Sequence, residues 1–387
     1  MQNICSIQSD GNDHAARGDR VQASTEGDHK GVIARLRVID LFAGCGGLTA
    51  GFRAAGGYRT VAAVEKDLAA AATYAANFEE RHVHWGGIEG WVTSGEIPEA
   101  DIVVGGPPCQ GFSNLGARRE RDPRNALWRR YVDVLVAARP RVFLLENVDR
   151  FATSGQCRDL VRETYRSGRL RDYTIDCHIV RATDHGAAQL RRRTIVIGTH
   201  RDLAQIQVPR TTVPKSEWRT VKDEIGGLSP IDPDHRDLPD DWTVFRGHTV
   251  PGRFSSIDLH VTRRYEERSL ERFASIPPGG NRTDLPDNLK APCWLNHDTG
   301  SLDVMGRMHW DRPSVTIRTE FYKPEKGRYL HPDQDRAISH YEAARLQGFP
   351  DDYLWCGTKV QIARQIGNAV PVPLAQSLAT YIRACMC

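Results

Sequence analysis

The stretch LRVIDLFAGCGGLTAGF, residues 36–52, decides how the rest of the chain is read. Its opening apolar run has the residue types of a buried strand. Glycines follow at 44, 46 and 47, and a helix is expected from about Leu48 to Ala55, stopped by Gly56-Gly57. Strand, glycine turn and helix in that order start a βαβ unit. Glycines in such a turn let a ligand approach the backbone, and the helix start offers free N–H groups.

Outward from this stretch the alternation continues. TVAAVE (60–65), DIVVG (101–105), RVFLLE (141–146), YTIDCHIV and RTIVIGT read as strands, with helices expected at 67–78 and about 125–138. The fold class is therefore α/β, a Rossmann-like arrangement with a mostly parallel sheet, helices on both faces and ligands at the carboxyl ends of the strands. Residues 1–33 are polar, without periodicity, and read as a disordered tail; 34–200 form the catalytic and cofactor-binding domain. Between 201 and 310 the rhythm is lost and only VTRRYEERSLERFASI looks helical, which marks a smaller second domain. From 311 to 387 PSVTIRT reads as extended, ISHYEAARLQGF as helix, and Gly367-Asn368 as a turn before a final helix that packs back on the first domain.

Composition narrows the function classes. The net charge is +3, and there is no long apolar run of membrane-spanning length and no secretory leader pattern, so a cytoplasmic location is expected, with no membrane partner. Nine cysteines, at 5, 45, 109, 157, 177, 293, 356, 385 and 387, are widely spread and form no C-x-x-C pair, which favours free thiols and no metal. Arginines cluster in ARRERDPRNALWRR (117–130) and LRRRT (190–194); these runs are either solvated faces or contacts to an anionic polymer.

Three groups of residues carry chemistry. A nicotinamide fingerprint would need glycine at 49, where Thr49 stands, so hydride transfer loses ground. Glu65 ends the second strand and is placed to accept hydrogen bonds from ribose hydroxyls. The ligand that fits this pattern is S-adenosylmethionine, which has a ribose and no phosphate; Phe42 either lines its adenine pocket or belongs to the core. In GGPPCQGFS (105–113) Cys109 sits in a loop stiffened by Pro107 and Pro108. A thiolate held there could add to C6 of cytosine while an acid serves N3, which activates C5 toward a methyl group. Glu146 of ENV, at the mouth of the same sheet, is that acid, and partial dehydration there favours its protonated form. Arg191 and Arg193 are candidates to hold the base carbonyl and flanking phosphates and to order the Glu146 loop, with Arg192 facing the other way.

With these residues in view the chain resembles the DNA (cytosine-5) methyltransferases, from about Val38 to Gln376. DLFAGCGGLTAGF is similar to the cofactor loop, GGPPCQGFS to the nucleophile loop, ENV to the acid motif, QLRRR (189–193) to the Q-x-R-x-R element, RAISHYEAARLQGFPDDY to the penultimate motif, and QIGNAVPVPLAQ (365–376) to the last. The resemblance implies Cys109 as nucleophile, Glu146 as N3 proton donor, and Arg191 and Arg193 as assistants. It implies contacts to S-adenosylmethionine, released as S-adenosylhomocysteine, from Phe42, Gly44, Cys45, Gly46, Gly47, Glu65, Lys66, Ile88, Pro107, Asn368 and Ala369. It implies DNA contacts from Gln110, Ser113, Arg118, Arg119 and Arg121, base flipping, and sequence readout by 201–310.

Double-stranded DNA is then the partner of a monomeric enzyme, one that protects host DNA from a separate restriction endonuclease. Two departures stand out. Gly87-Ile88 replaces the usual Asp-Ile at the end of the third strand, with Glu89 as a substitute contact, and DHGAAQ (184–189) replaces D-Y-G-V-P-Q. Two rival readings remain: a transfer RNA cytosine methyltransferase with the same chemistry, and a catalytically silent DNA-binding regulator of the same fold.

Overall fold

Seven strands form one sheet: β1 Leu36–Leu41, β2 Tyr58–Glu65, β3 Val83–Trp85, β4 Ile102–Gly105, β5 Val142–Val148, β6 Tyr173–Arg181 and β7 Arg192–His200. This is a computed structural model, and it describes residues 35–108, 127–232, 234–295 and 302–386. The spatial order is β3-β2-β1-β4-β5-β7-β6. Pairings from β3 across to β5 are parallel, and β7 runs antiparallel to both β5 and β6. The mostly parallel α/β sheet expected from the alternation is the fold observed.

The chain leaves β1 toward β2 and β3 and then crosses to β4 on the other flank. That reversal opens a crevice at the carboxyl ends of β1 and β4, the place where open α/β sheets bind ligands. The glycine turn leaves β1 there, and the Gly105–Pro108 segment leaves β4 beside it.

Both faces of the sheet are buried, which is why its strands read as apolar runs. Ile39, Leu41, Val103, Phe143, Leu145 and Val196 face Trp91 of α3 (Ile88–Ser94), Trp128 and Tyr131 of α4 (Leu127–Ala138) and Leu160 of α5 (Gly155–Arg162). The alternate residues Val38, Ile102, Val104, Leu144, Ile195 and Ile197 face Phe52 of α1 (Gly47–Ala55) and Leu374, Leu378 and Ile382 of the final helix. α2 (Leu68–Asn77), started by Asp67 whose carboxylate accepts from the Ala70 N–H, covers the β2–β3 end.

Beyond β7 the elements are short: α6 Val221–Ile225, the hairpin β8 Trp242–Phe245 with β9 His248–Pro251, β10 Phe254–Ser255, α7 Glu267–Ala274 and α8 Pro292–Leu295. Then come α9 His340–Leu346, β11 Leu354–Trp355, α10 Lys359–Asn368 and α11 Val372–Met386. Val221, Ile225, Phe254 and Leu259 share one buried cluster with Tyr341, Leu346, Trp355 and Ile362, and by its contacts Arg35–Cys387 is a single compact unit.

Two local expectations are corrected. The helix read over 261–276 is confined to α7, because Tyr265 is drawn aside to accept the Ala337 N–H. Gly367-Asn368 is not a turn but the last part of α10, and the break falls at Ala369–Pro371. The helix survives the glycine because a Cβ at 367 would lie 2.4 Å from the Thr319 nitrogen, so only glycine lets α10 pass that backbone.

Candidate active site at the carboxyl edge of the sheet

The glycines after β1 serve two different purposes. Gly44, at φ +57, has nothing within 4 Å of where a side chain would begin, and its N–H donates to Glu65 Oε2 at 2.9 Å. It therefore faces open space beside a carboxylate. Gly46 and Gly47 face the protein. A Cβ at Gly46 would lie 2.5 Å from the Phe78 ring, and one at Gly47 would lie 2.6 Å from the Val370 carbonyl oxygen. Their part in the expected ligand contact is limited to main-chain atoms. The same holds for Cys45, which is 2% exposed and whose thiol is pushed up to about 12 by burial.

Glu65 also accepts the Asp67 N–H at 2.7 Å, so both oxygens are anchored by backbone donors. Burial raises its pKa, and these backbone donors oppose the rise. Beneath the turn, Thr49 bonds Asp40 at 2.7 Å and Tyr74 at 2.8 Å. Burial pushes Asp40 up to about 7, a shift that the Thr49 hydroxyl partly offsets. The residue that breaks the nicotinamide fingerprint thus stabilises a buried acid. Phe42, half-buried at φ +55, holds a backbone conformation that is costly for a non-glycine residue and packs against the core that Ile88 and Trp91 share. Ile88 is buried as the first residue of α3. Gly87 caps that helix without a side chain, so the two follow β3 rather than end it.

On the other flank, Glu146 is 8% exposed and its Oε1 lies 2.7 Å from Arg193 Nε. β7 brings the arginine there, since Val148 and Arg193 are register partners. A side chain at Gly106 would begin 3.0 Å from Glu146 Oε2, so the segment leading into the cysteine loop passes directly over the acid. Asn147 fixes that segment: its Nδ2 donates to the Pro107 carbonyl at 2.9 Å, and its Oδ1 accepts the Val148 N–H.

Residues 36–384 match the family model for C-5 cytosine-specific DNA methylase. The chain belongs to that family. It is 33% identical over 357 residues to the type II methyltransferase M1.HphI of Haemophilus parahaemolyticus, covering 90% of this chain and 86% of that protein. It is 30% identical to M.DdeI of Desulfomicrobium norvegicum over 90% of this chain and 88% of that one. Among solved structures, one from Escherichia coli assigned as a prophage-encoded DNA modification methyltransferase aligns with a TM-score of 0.68 at 27% identity, covering 91% and 99% of the two chains. Dnmt2 of Schizosaccharomyces pombe shares the fold at 17% identity, with a TM-score of 0.54 and coverage of 90% and 99%.

This DNA (cytosine-5) methyltransferase departs from the sequence reading at Arg191. That side chain is 2% exposed and donates to the Ile317 and Gly367 carbonyls at 2.9 and 3.1 Å. Burial, with the Arg193 charge added, pushes its guanidinium well below the usual arginine range. Arg191 ties the end of α10 to the sheet, while Arg193 reaches the acid. Arg192 points to solvent beside Asp149, as expected.

The remaining expected residues of the methyltransferase fall into two groups. Asn368 is exposed at the end of α10 with Ala369 buried behind it, and Lys66 is exposed with its carbonyl accepting the Trp85 indole N–H. Cys109, Gln110, Ser113, Arg118, Arg119 and Arg121 lie outside the described residues. In DHGAAQ, Ala187 and Ala188 are buried, the Ala187 N–H bonds the Ala182 carbonyl, and His185 Nδ1 lies 3.0 Å from Ser377 Oγ. Sequence reasoning missed Asn147 and Asp40. Each stands next to, or two before, a residue it did single out, and a partner search among neighbours of Glu146 and Phe42 would have found both.

Proposed function

We propose that this enzyme methylates C5 of a cytosine within a short specific sequence of double-stranded DNA, and that Glu146, oriented by Arg193, is the acid that serves N3 of the target base. The observation that carries this reading is the convergence of Gly106, Glu146 and Arg193, with Asn147 clamping Pro107, because it sets the root of the Cys109 loop over a paired buried acid.

The cofactor fits the crevice. Open space at Gly44, the anchored Glu65 carboxylate and Phe42 suit a ribose and an aromatic ring, and Ile88, Pro107 and Asn368 complete the candidate set. S-adenosylmethionine, when bound, supplies an electrophilic methyl group. On the protein side, Cys109 adds its thiolate to C6 of a flipped cytosine while Glu146 delivers a proton to N3, which makes C5 nucleophilic. A water then takes the C5 proton, N3 returns its proton to Glu146, and elimination of Cys109 restores the aromatic ring. Arg118, Arg119 and Arg121 with Gln110 and Ser113 meet the DNA, and 201–310 reads the sequence. The type II designation of M1.HphI and M.DdeI supports a host role in protection from a separate nuclease.

The test is transfer of labelled methyl to unmethylated duplex DNA of high sequence diversity and, in parallel, to transfer RNA, each with Cys109→Ala as control and bisulfite sequencing of the product. Label at cytosine C5 within one recurring DNA sequence is expected, abolished in the variant. Label in RNA alone transfers the assignment to the RNA rival, and methylation by Cys109→Ala removes the nucleophile assignment.

A further inference from the structure

The cysteines looked scattered in the sequence, yet the fold brings two of them together away from the crevice. Ser154 caps α5 by accepting the Cys157 N–H at 3.1 Å, which sets Cys157 on the first turn, 6% exposed in the core that α3, α4 and α5 share. Cys177 lies on β6 in register with Val196, whose side chain belongs to that same core. The two sulfurs are 3.9 Å apart, and both residues carry free thiols. β6 is the edge strand of the sheet and Cys177 is half-buried, so solvent reaches the pair from one side.

We propose that Cys157 and Cys177 are an oxidisable dithiol, a covalent modification site that closes to an intramolecular disulfide when the enzyme meets hydrogen peroxide. Closing requires the sulfurs to approach from contact to bonding distance, a shift of about 2 Å that side-chain rotation can supply. In the first step the Cys157 thiolate attacks peroxide; the O–O bond breaks, a sulfenic acid forms and the leaving hydroxide takes a proton to become water. In the second the Cys177 thiolate attacks that sulfur; the S–O bond breaks, the S–S bond forms and a second water leaves. Two thiols are oxidised by two electrons, and one peroxide is reduced to two waters.

Cys157 goes first because the Cys177 thiol donates toward it, and Arg158 adds a favourable charge, both lowering its pKa against the effect of burial, whereas the same hydrogen bond, with burial added, pushes the Cys177 thiol up and leaves it the resolving partner that loses its proton only as it attacks the oxidised sulfur. Cys45 and Cys356 respond less, since burial pushes their thiols up to about 12 and about 11. The staple joins α5, which follows the Glu146 strand, to β6, which pairs with the strand carrying Arg193. It therefore locks the segments behind the acid–arginine pair without touching either residue.

The full-length enzyme is treated with hydrogen peroxide, alkylated, digested with trypsin and mapped by mass spectrometry. The expected product is FATSGQCR (151–158) joined to DYTIDCHIVR (172–181), two hydrogens lighter than the free peptides together and separated by dithiothreitol. In Cys177→Ser, a dimedone adduct at Cys157 is expected, absent from the wild type. Recovery of both wild-type peptides alkylated after the exposed Cys293 and Cys385 have been oxidised overturns the proposal. So does joining of either peptide to a different cysteine.

Discussion

Replacing Arg193 with alanine strands the Glu146 carboxyl, and the cost can be bounded from the structure. The pair is 2.7 Å apart with side chains 15% and 11% exposed. Removing one partner of a buried pair costs about 3–5 kcal/mol because the other charge stays behind. Two effects reduce this. The Arg191 charge still interacts with Glu146. The stranded group can also take up a proton, which for a carboxyl of ordinary pKa costs about 3.7 kcal/mol at pH 7 but about 1 kcal/mol at pH 5. The expected loss of stability is therefore about 2–3 kcal/mol at pH 7 and about 1 kcal/mol at pH 5. In the variant the folded state holds this proton to higher pH than the unfolded chain does, so the deficit grows as pH rises. Urea unfolding of the wild type, Arg193→Ala, Glu146→Gln and the double variant at both pH values measures it. A deficit equal at the two pH values, or one that Glu146→Gln fails to relieve, refutes the pairing. Methyl transfer by Arg193→Ala should fall through kcat.

Asn147→Ala removes the hydrogen bond to the Pro107 carbonyl; a loss of about 1–2 kcal/mol is expected together with a lower kcat and an unchanged KM for the cofactor, and steady-state kinetics show whether the clamp aligns the loop. Gly44→Ala should cost only about 1 kcal/mol for its φ and act mainly on cofactor KM, whereas Gly46→Ala, 2.5 Å from Phe78, should lose more stability; the order of the two thermal midpoints decides. His185, His331 and His340 are each pushed down to about 4 by burial, so the fold keeps them neutral. Below the ordinary histidine value of about 6.5 the unfolded chain binds protons that the fold refuses, so stability is complete above that pH and is lost toward pH 4, by up to about 3 kcal/mol per residue. A thermal midpoint unchanged between pH 7.5 and 5.5 would contradict this.

The sheet was legible because its central strands β1, β4, β5 and β7 are buried on both sides and bounded by helix or turn signals, as in RVFLLE before Glu146. β3 was not read directly, since three residues give no period. Glu146 and Glu65 were legible because an acid at the carboxyl end of a buried strand has few structural uses there. The two arginines show where that logic stops. Alternation puts residues two apart on one face only within a strand, and β7 begins at Arg192. Arg191 lies before it and turns inward to carbonyls contributed by residues 317 and 367, which no local pattern announces.

The contacts of the glycine turn show what holds the site together. Gly47 is close to the Val370 carbonyl, the Cys45 carbonyl accepts the Tyr353 hydroxyl, and the Cys45 thiol lies 3.7 Å from the Gln365 carbonyl. Gln347 in turn donates to the Ile366 carbonyl, and a Cβ at Gly51 in α1 would lie 2.4 Å from Ala375 in α11, so those two helices touch at the backbone. Every one of these contacts joins the first strand–helix unit, or the end of α10 behind it, to residues some 300 positions later or to their neighbours. The late segment is thus the wall against which the cofactor turn is shaped. In the βαβ unit that reads most clearly in the sequence, Cys45, Gly47 and Gly51 find their partners only once the chain has returned to them.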